Sequence, residues 1–256
     1  MAESGSPQSP DPRPAAGVVA VTGAGGGLGR TFCVALAAAG WTVAALGRTR
    51  ATLEETVTAC TGDGHLTVVC DVTDEASVTA AVDHLTGRLG GLDLLVNNAG
   101  VPGATGRIDT VDPAAFEETV RTNLTGTFLC TRAAFAWMAA HGGGRIINNG
   151  SIAAHAPRAG AAAYAASKAA VASLTVSTAL DGRDVGITAT ELDIGNARTP
   201  LLETFTTGSS CGTSPEPTFD ATEAGRLLVS VAQMPPGVSV DRITVTAAGM
   251  PYLGRG

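Results

Sequence analysis

Short apolar runs alternate along the chain with longer segments in which apolar residues recur every three or four positions. The short runs are rich in valine and isoleucine and predict buried β-strands, whereas the longer period is typical of helices with one apolar face. Seven strands are predicted, at 17–23, 41–47, 66–72, 92–100, 144–151, 185–192 and 241–247. Helices are predicted near 28–40, 50–60, 74–89, 113–141, 162–180 and 220–233.

This order of elements predicts an α/β fold with one sheet. Strands that are apolar on both faces belong to a parallel sheet that helices cover on both sides. We therefore expect a doubly wound Rossmann fold with a seven-stranded, mainly parallel sheet. Residues 1–16 are proline-rich and predict a disordered tail, and residues 17–256 predict a single catalytic domain. The irregular stretch 200–219 is too long for a plain connection and predicts a substrate loop.

Composition narrows the classes of partner. The formal net charge is −7 and the arginines are scattered, which argues against nucleic acid because that partner requires a basic face. No apolar stretch reaches the roughly 20 residues of a membrane span, and the N-terminus has no signal-peptide pattern. The five cysteines contain no CxxC pair and predict reduced thiols, with neither a disulfide framework nor a metal site. We expect a cytoplasmic protein with a small-molecule substrate.

A glycine-rich segment, VTGAGGGLGR at 21–30, lies between the first predicted strand and the first predicted helix. Glycines let the backbone approach a pyrophosphate, and the helix N-terminus offers free N–H groups to it. Tight turns also use glycine, so the order strand, loop, helix is what favours a cofactor site. The predicted contacts in this segment are Gly23, Gly25, Gly27, Leu28 and Gly29.

The spacing of this segment is T-G-x-x-x-G-x-G, and further motifs follow it: NNAG at 97–100, an asparagine in RTNLTGT at 121–127, a serine ending the fifth strand, and YAASK at 164–168. In this order the motifs resemble the short-chain dehydrogenase/reductase family, and the resemblance extends from residue 17 to about 247. It implies a dinucleotide-dependent oxidoreductase. It does not identify a substrate.

The choice of dinucleotide depends on the end of the second strand. A carboxylate there binds the ribose 2′-hydroxyl of NAD, but this chain has Gly47 followed by Arg48. A guanidinium is well shaped to hold a 2′-phosphate, which favours NADP(H) over NAD(H). The alternative is that Arg48 is a solvated loop arginine. The resemblance also implies contacts to the nucleotide from Asp71, Val72, Asn98, Ala99, Gly100, Ala197 and Thr199.

Tyr164 and Lys168 are four residues apart and therefore project from one face of a helix. Lys168 is the only lysine in the chain. A phenol has a pKa of about 10, and a nearby ammonium together with the positive nicotinamide of the oxidised cofactor is expected to lower it by favouring the phenolate. The resemblance adds a bond from Lys168 to the nicotinamide ribose, a task for which a compact ammonium is suited. Tyr164 is thus predicted to exchange the proton of the substrate oxygen.

Two further residues complete the predicted catalytic set. Ser151 ends the fifth strand and can donate a hydrogen bond to the substrate oxygen, where negative charge develops. Asn123 resembles the family's asparagine that holds a water linking the lysine to solvent, and an ordinary buried asparagine is the alternative. His155 and Arg158 lie between Ser151 and Tyr164 and are predicted to touch the substrate, unless they are surface loop residues.

These motifs favour an NADPH-dependent reductase of ketones or aldehydes. One alternative is an NAD-dependent alcohol dehydrogenase that works toward oxidation. Another, of a different class, is a regulatory protein that senses a dinucleotide without turnover. The resemblance implies a homotetramer or homodimer, paired through the long helices after the fourth and fifth strands.

Overall fold

The computed structural model describes residues 16–199, 202, 216–250 and 252. The predicted tail, apart from Ala16, and most of the predicted substrate loop lie outside the described residues. No helix in the described part of the chain combines the length and the apolar character that a bilayer crossing requires.

The seven predicted strands form one sheet in which every neighbouring pair is parallel, in the order β3-β2-β1-β4-β5-β6-β7. The doubly wound fold is confirmed. The strands are β1 (Val18–Thr22), β2 (Thr42–Gly47), β3 (Leu66–Val69), β4 (Leu94–Asn97), β5 (Gly144–Asn149), β6 (Ile187–Ile194) and β7 (Arg242–Val245).

Helices cover both faces of this sheet. They are α1 (Gly27–Ala38), α2 (Arg50–Ala59), α3 (Glu75–Leu89), α4 (Pro113–Val120), α5 (Gly126–Ala140), α6 (Ala162–Gly182) and α7 (Ala221–Ala232). On one face, Phe32, Leu53 and Leu228 anchor α1, α2 and α7 in a common apolar cluster. On the other face, Leu85 and Met138 do the same for α3 and α5. Burial on both sides explains why the strands read as continuous apolar runs.

Side-chain caps fix the first residues of helices α3 and α7. Asp74 accepts hydrogen bonds from Ala76 and Ser77 at the start of α3, and Asp220 accepts one from Thr222 at the start of α7. Such caps satisfy N–H groups that have no partner inside the helix. The N-terminus of α1 differs, because Gly26 precedes it and no side chain caps it.

The continuous helix predicted over 113–141 is interrupted. A π-helical turn (Arg121–Thr125) joins α4 to α5. A π-helical turn inserts a wider loop into a helix and is often found at functional sites. Asn123 lies in the middle of this turn and is buried.

The order of the strands also fixes the place of a ligand crevice. β1 pairs with β2 on one side and with β4 on the other. The chain runs outward from β1 through β2 and β3, and then crosses back to continue from β4 in the opposite direction. In open parallel sheets a ligand crevice opens beyond the carboxyl ends of the strands at such a point. The glycine-rich segment follows the carboxyl end of β1, and Ser151 follows that of β5.

Candidate active site

The glycine-rich segment packs against the loop after β4 too closely for side chains. A Cβ added at Gly23, which has a φ of +64°, would lie 2.8 Å from the Cα of Ala99. A Cβ at Gly29 would overlap the carbonyl oxygen of Gly23 and lie 2.7 Å from Asn98 Nδ2. These two glycines therefore let the segment pack directly against backbone, and we call residues 21–30 the glycine cradle.

The first turn of α1 is open to an anion. Gly27, Leu28 and Gly29 begin the helix, and no acidic residue occurs in that turn. Backbone N–H groups at such an uncapped N-terminus, together with the helix dipole, bind phosphate. The cradle and the uncapped turn together fit a dinucleotide pyrophosphate.

Arg30 supports the cradle from outside, a role that the sequence reasoning missed. Its guanidinium donates to the carbonyl oxygen of Gly25 (3.1 Å) and to Glu55 (2.7 Å), and its Nε donates to Thr56 Oγ1 (3.0 Å). These bonds tie the loop to α2. A basic residue directly after the last motif glycine was the available signal.

We expect Gly29→Ala to destabilise the fold by about 2–4 kcal/mol, because the added methyl overlaps backbone that cannot move away cheaply. The matched control is Gly87→Ala, since Gly87 lies in α3 and a Cβ there meets nothing within 4 Å. The control should gain up to about 1 kcal/mol of helix propensity. Urea unfolding of both variants measures the difference, and equal effects would contradict the close packing.

The loop after β4 forms the second wall of the crevice. Thr22 Oγ1 accepts hydrogen bonds from the N–H groups of Asn98 (2.9 Å) and Ala99 (3.0 Å), and Asn98 Nδ2 donates to the carbonyl oxygen of Thr22 (3.0 Å). A Cβ at Gly100 would lie 3.2 Å from Asn123 Oδ1. The three predicted contacts 98–100 therefore lie beside the glycine cradle.

The predicted adenosine end lies along the edge of β2 and β3. Arg48 follows Gly47, the last residue of β2, and its side chain is exposed. Asp71 Oδ1 accepts bonds from the N–H and hydroxyl of Thr73, which lower the pKa of its carboxyl, and the nearby guanidiniums of Arg48 and Arg121 lower it further. Val72 is buried. Arg48 and Asp71 are thus brought together at the same edge.

The chemical end joins β5 to α6. Ser151 follows β5, and Tyr164 and Lys168 occupy the first two turns of α6. Lys168 Nζ donates to the carbonyl oxygen of Asn149 (2.6 Å) and lies 5.8 Å from the centre of the Tyr164 ring. The side chains of Tyr164 and Ser151 are hydrogen-bonded. The structure thus brings the three predicted catalytic residues together.

Burial controls the ionisation of this pair. It raises the pKa of Tyr164, the bond to Ser151 opposes the rise, and the charge of Asp193 adds to it. Burial also lowers the pKa of Lys168 to about 8, against the opposing effects of Asp193 and Glu191. Desolvation of the phenolate is thus the largest effect on the Tyr164 pKa in this structure, and it opposes the lowering that the sequence predicts from Lys168 and the nicotinamide together. A phenol with a raised pKa stays protonated at neutral pH, as a proton donor must.

Asn123 braces the start of α6. Its Oδ1 accepts from the N–H of Val101 (2.8 Å), and its Nδ2 donates to the carbonyl oxygen of Val101 (3.0 Å) and to Ser167 Oγ (3.1 Å). Ser167 in turn donates to the carbonyl oxygen of Tyr164 (2.8 Å). Asn123 is therefore a structural neighbour of the catalytic helix, and its water-holding role stays a prediction.

A cavity of about 200 Å³ joins the two ends of the site. Leu28 from α1, Ser151 and Tyr164 line it, together with Ala197 and Thr199 from the loop after β6. One cavity thus reaches both the first turn of α1 and the residues predicted to exchange the proton.

The two predicted substrate residues differ in position. Arg158 lines the cavity, where it donates to Asn196 Oδ1 (3.1 Å) and pairs with Glu216. His155 turns away, and its Nε2 lies 3.1 Å from Asp193 Oδ2. The structure thus does not support a substrate contact for His155, because a buried carboxylate holds its ring.

Sequence reasoning missed the two buried carboxylates at the end of β6, Glu191 and Asp193. Both alternate with apolar residues, which resembles the solvent face of a strand. A strand in the interior of a parallel sheet has no such face, and that was the available signal.

Comparisons with known proteins agree with this geometry. The family model described as short chain dehydrogenase matches residues 17–209. Cis-4-hydroxycyclohexanecarboxylate dehydrogenase of Sinomonas cyclohexanicum is 37% identical over 187 residues, which cover 72% of this chain and 75% of that protein.

Two solved structures resemble the fold. A single-residue variant of the actinorhodin polyketide ketoreductase with NADPH superposes with a TM-score of 0.81 at 28% identity, covering 90% of this chain and 95% of that one. The 3-ketoacyl-(acyl-carrier-protein) reductase from Brucella melitensis complexed with NADH gives 0.79 at 28% identity, covering 89% and 96%. Similar proteins therefore carry either dinucleotide.

Proposed function

The chain belongs to the short-chain dehydrogenase/reductase family, and from that membership we propose that it is an NADPH-dependent reductase of ketones or aldehydes. The family membership makes it an oxidoreductase of hydroxyl and keto groups. One observation carries the rest: Ser151 and Tyr164 line the same cavity as Leu28 of the phosphate-binding turn. A carbonyl in that cavity can meet a proton donor and a bound nicotinamide together.

The residues that would hold the dinucleotide are those of the cradle and the second wall. Gly23 and Gly29 let the segment pack directly against protein backbone, whereas a Cβ at Gly27 would meet nothing within 4 Å, so Gly27 borders open space where we place the pyrophosphate. Asn98 and Ala99 are proposed to lie beside the bound nucleotide. Ala197 and Thr199 are proposed to contact the nicotinamide. When bound, the reduced cofactor supplies the hydride.

The protein then has to stabilise and protonate one oxygen. Ser151 Oγ accepts from the N–H of Ala153 (3.1 Å), which orients its hydroxyl proton toward Tyr164 and the cavity. That hydroxyl donates to the carbonyl oxygen as negative charge develops on it. Tyr164 gives its proton to the same oxygen, and the Lys168 ammonium stabilises the phenolate that remains.

An NAD-dependent dehydrogenase that works toward oxidation remains the second candidate, and the word dehydrogenase in the name of the Sinomonas relative favours the oxidative direction. A cofactor sensor without turnover has no use for Ser151 and Tyr164 on one cavity with the Lys168 ammonium close to the tyrosine ring. If NADPH binds but no ketone or aldehyde in a broad panel oxidises it, that result would support the sensor and overturn the reductase.

Arg48 carries the proposed preference for NADPH. We expect Arg48→Ala to weaken NADPH binding by about 10- to 100-fold, the range for one charged hydrogen bond, and to leave NADH binding unchanged. Arg50→Ala is the matched control, since Arg50 is equally exposed and lies 3.9 Å from Glu54. Fluorescence titration measures both affinities. Tighter binding of NADH than of NADPH by the unmodified protein would contradict this assignment.

The pairing of Arg158 with Glu216 bears on the substrate. Because the carboxylate compensates the guanidinium inside the cavity, Arg158 offers little net charge to an acidic substrate. We therefore favour an uncharged carbonyl compound, held by its oxygen.

We propose that the protein is a homodimer or homotetramer that pairs through α5 and α6. Phe128 on α5 and Val176 and Leu180 on α6 expose about half of their side chains (47%, 55% and 50%). Val176→Glu is expected to shift the assembly toward monomers in sedimentation experiments, because a buried unpaired charge is costly. Ile108→Glu, in a loop residue that is 75% exposed, should not. An unchanged mass for Val176→Glu would exclude this face. The cytoplasmic location stays a prediction.

A further inference from the structure

Asp193 is a fully buried carboxylate directly behind the catalytic serine. Its Oδ1 accepts a hydrogen bond from the backbone N–H of Ser151 (2.9 Å). Its Oδ2 lies 3.1 Å from Nε2 of His155 and 3.9 Å from Nε of Arg242. The carboxylate therefore holds the main chain of a residue proposed to bind the reacting oxygen.

Gly150 makes room for this carboxylate. A Cβ at Gly150 would overlap Asp193 Oδ1 and lie 3.0 Å from Cγ of Glu191. The preceding strand brings the two residues together, because Asn149 pairs with Leu192 in the sheet. A glycine just before the catalytic serine and an aspartate on β6 are thus two halves of one arrangement.

The charged groups around Asp193 come from four elements. His155 belongs to the loop after β5, Glu191 to β6, Arg242 to β7, and Tyr164 and Lys168 to α6. Arg242 Nε donates to Glu191 Oε2 (2.6 Å), and Glu191 Oε1 has no partner among the described residues. The negative charge of Asp193 opposes a phenolate on Tyr164 and favours the ammonium of Lys168.

We propose that Asp193 is a positioning residue for the proposed reduction: it anchors the backbone of Ser151 through Oδ1 in the space that Gly150 leaves for it, and its negative charge acts on the neighbouring Tyr164 and Lys168. This inference rests on the proposed function for its catalytic meaning, but its electrostatic part concerns the protein alone.

The same atoms raise the question of a cation. One ligand atom each from His155, Glu191 and Asp193 lies within 4.8 Å of the others. The guanidinium of Arg242 already faces both carboxylates, which places a positive charge where a metal would have to bind. We assign the cluster to an ion-pair network, and a metal is an outcome that the experiments can detect.

The chain offers a direct readout of the charge effect because it has only two tyrosines, Tyr164 and Tyr252. In a Tyr252→Phe background, NMR of isotope-labelled tyrosine Cζ follows Tyr164 alone. We expect Asp193→Asn, which keeps the acceptor for Ser151 and removes the charge, to lower the titration midpoint of Tyr164 by about one pH unit. Asp181→Asn is the control, because that exposed carboxylate lies on the same helix about 25 Å from Tyr164.

This measurement needs no cofactor, so it separates the inference from the proposed function. A lowered midpoint together with absent reductase activity would support the electrostatic role and overturn the function. An unchanged midpoint in a variant that keeps its melting temperature would overturn the inference, whatever the enzyme does. The inference would also be overturned if removing divalent cations lowered the activity or the thermal stability of the unmodified protein but not of Asp193→Asn.

The anchoring role is tested by a pair of variants. Gly150→Ala should lower kcat by about 100-fold with little change in cofactor affinity, because the displaced carboxylate moves Ser151. The double variant Gly150→Ala/Asp193→Ala removes the overlap and should recover at least about tenfold of that loss. If the loss of kcat in the double variant equals the product of the losses in Gly150→Ala and Asp193→Ala, the two residues act independently. That result would overturn the anchoring of Ser151 by Asp193.

Discussion

Tyr164→Phe is expected to lower kcat by about 10³-fold or more while NADPH affinity changes little. General acid catalysis contributes about 10²- to 10⁴-fold. Among the described residues that line the cavity, Tyr164 is the only phenol, and none is a carboxylic acid or a histidine. Ser151, which is hydrogen-bonded to Tyr164, can still stabilise the developing oxyanion in the variant. Its own hydroxyl is a poor acid and cannot replace the phenol as the proton donor. The phenyl ring keeps the packing at the start of α6, so the loss should fall on kcat.

The matched control is Tyr252→Phe, which removes the other tyrosine hydroxyl in the chain and should leave kcat within about twofold, the range for surface changes. Steady-state kinetics and fluorescence titration of NADPH supply both numbers. Retained turnover in Tyr164→Phe would refute the proton-donor assignment.

Lys168→Ala is expected to weaken both turnover and cofactor binding, each by about 10²-fold, because the same ammonium stabilises the phenolate and is proposed to bind the nicotinamide ribose. Lys168→Arg should restore neither, since a planar guanidinium cannot replace a compact head at this position. Activity in the arginine variant would mean that any cation suffices.

The same lysine has a cost in stability. Lowering its pKa from 10.5 to about 8 corresponds to about 3 kcal/mol against the folded state whenever the amine is charged in both states. Lys168→Met should therefore raise the free energy of unfolding by about 1–3 kcal/mol at neutral pH.

The sign of the pH dependence follows from the direction of the shift. Below pH 8 the amine is charged in both states and the full penalty applies. Between pH 8 and 10.5 the folded protein releases its proton first, so the unmodified protein gains stability and the advantage of Lys168→Met shrinks. Urea unfolding across this range measures it, and NMR of the single labelled lysine reports the midpoint directly. An advantage that grows with pH would contradict a buried ammonium.

Most of the fold was predictable because strand and helix periods differ. β2 and β5 lie within one residue or two of the predicted limits, since apolar runs in a parallel sheet are sharply bounded. Of the predicted strand 92–100, only Leu94–Asn97 forms a strand, β4. Asn98 and the residues after it leave the sheet, because they bind Thr22 and line the crevice.

The features that periodicity could not reveal are those that break a local rule. The sequence around the π-helical turn at Asn123 keeps the residue spacing of an α-helix, so only the backbone hydrogen bonds of the structure distinguish this turn from α-helix. Asp193 and Gly150 lie far apart in sequence, and their meaning depends on the register of β5 and β6. Ser151, Tyr164 and Lys168 were predictable because a recognised motif carries their spatial relation with it.

Deuterium transfer from NADPH labelled at the nicotinamide C4 tests the central claim most directly. Incubated with a panel of uncharged ketones and aldehydes, the unmodified protein should place deuterium on the carbinol carbon of at least one alcohol product, as read by mass spectrometry. NADPH that binds tightly yet leaves no deuterium in any alcohol would contradict a carbonyl reductase.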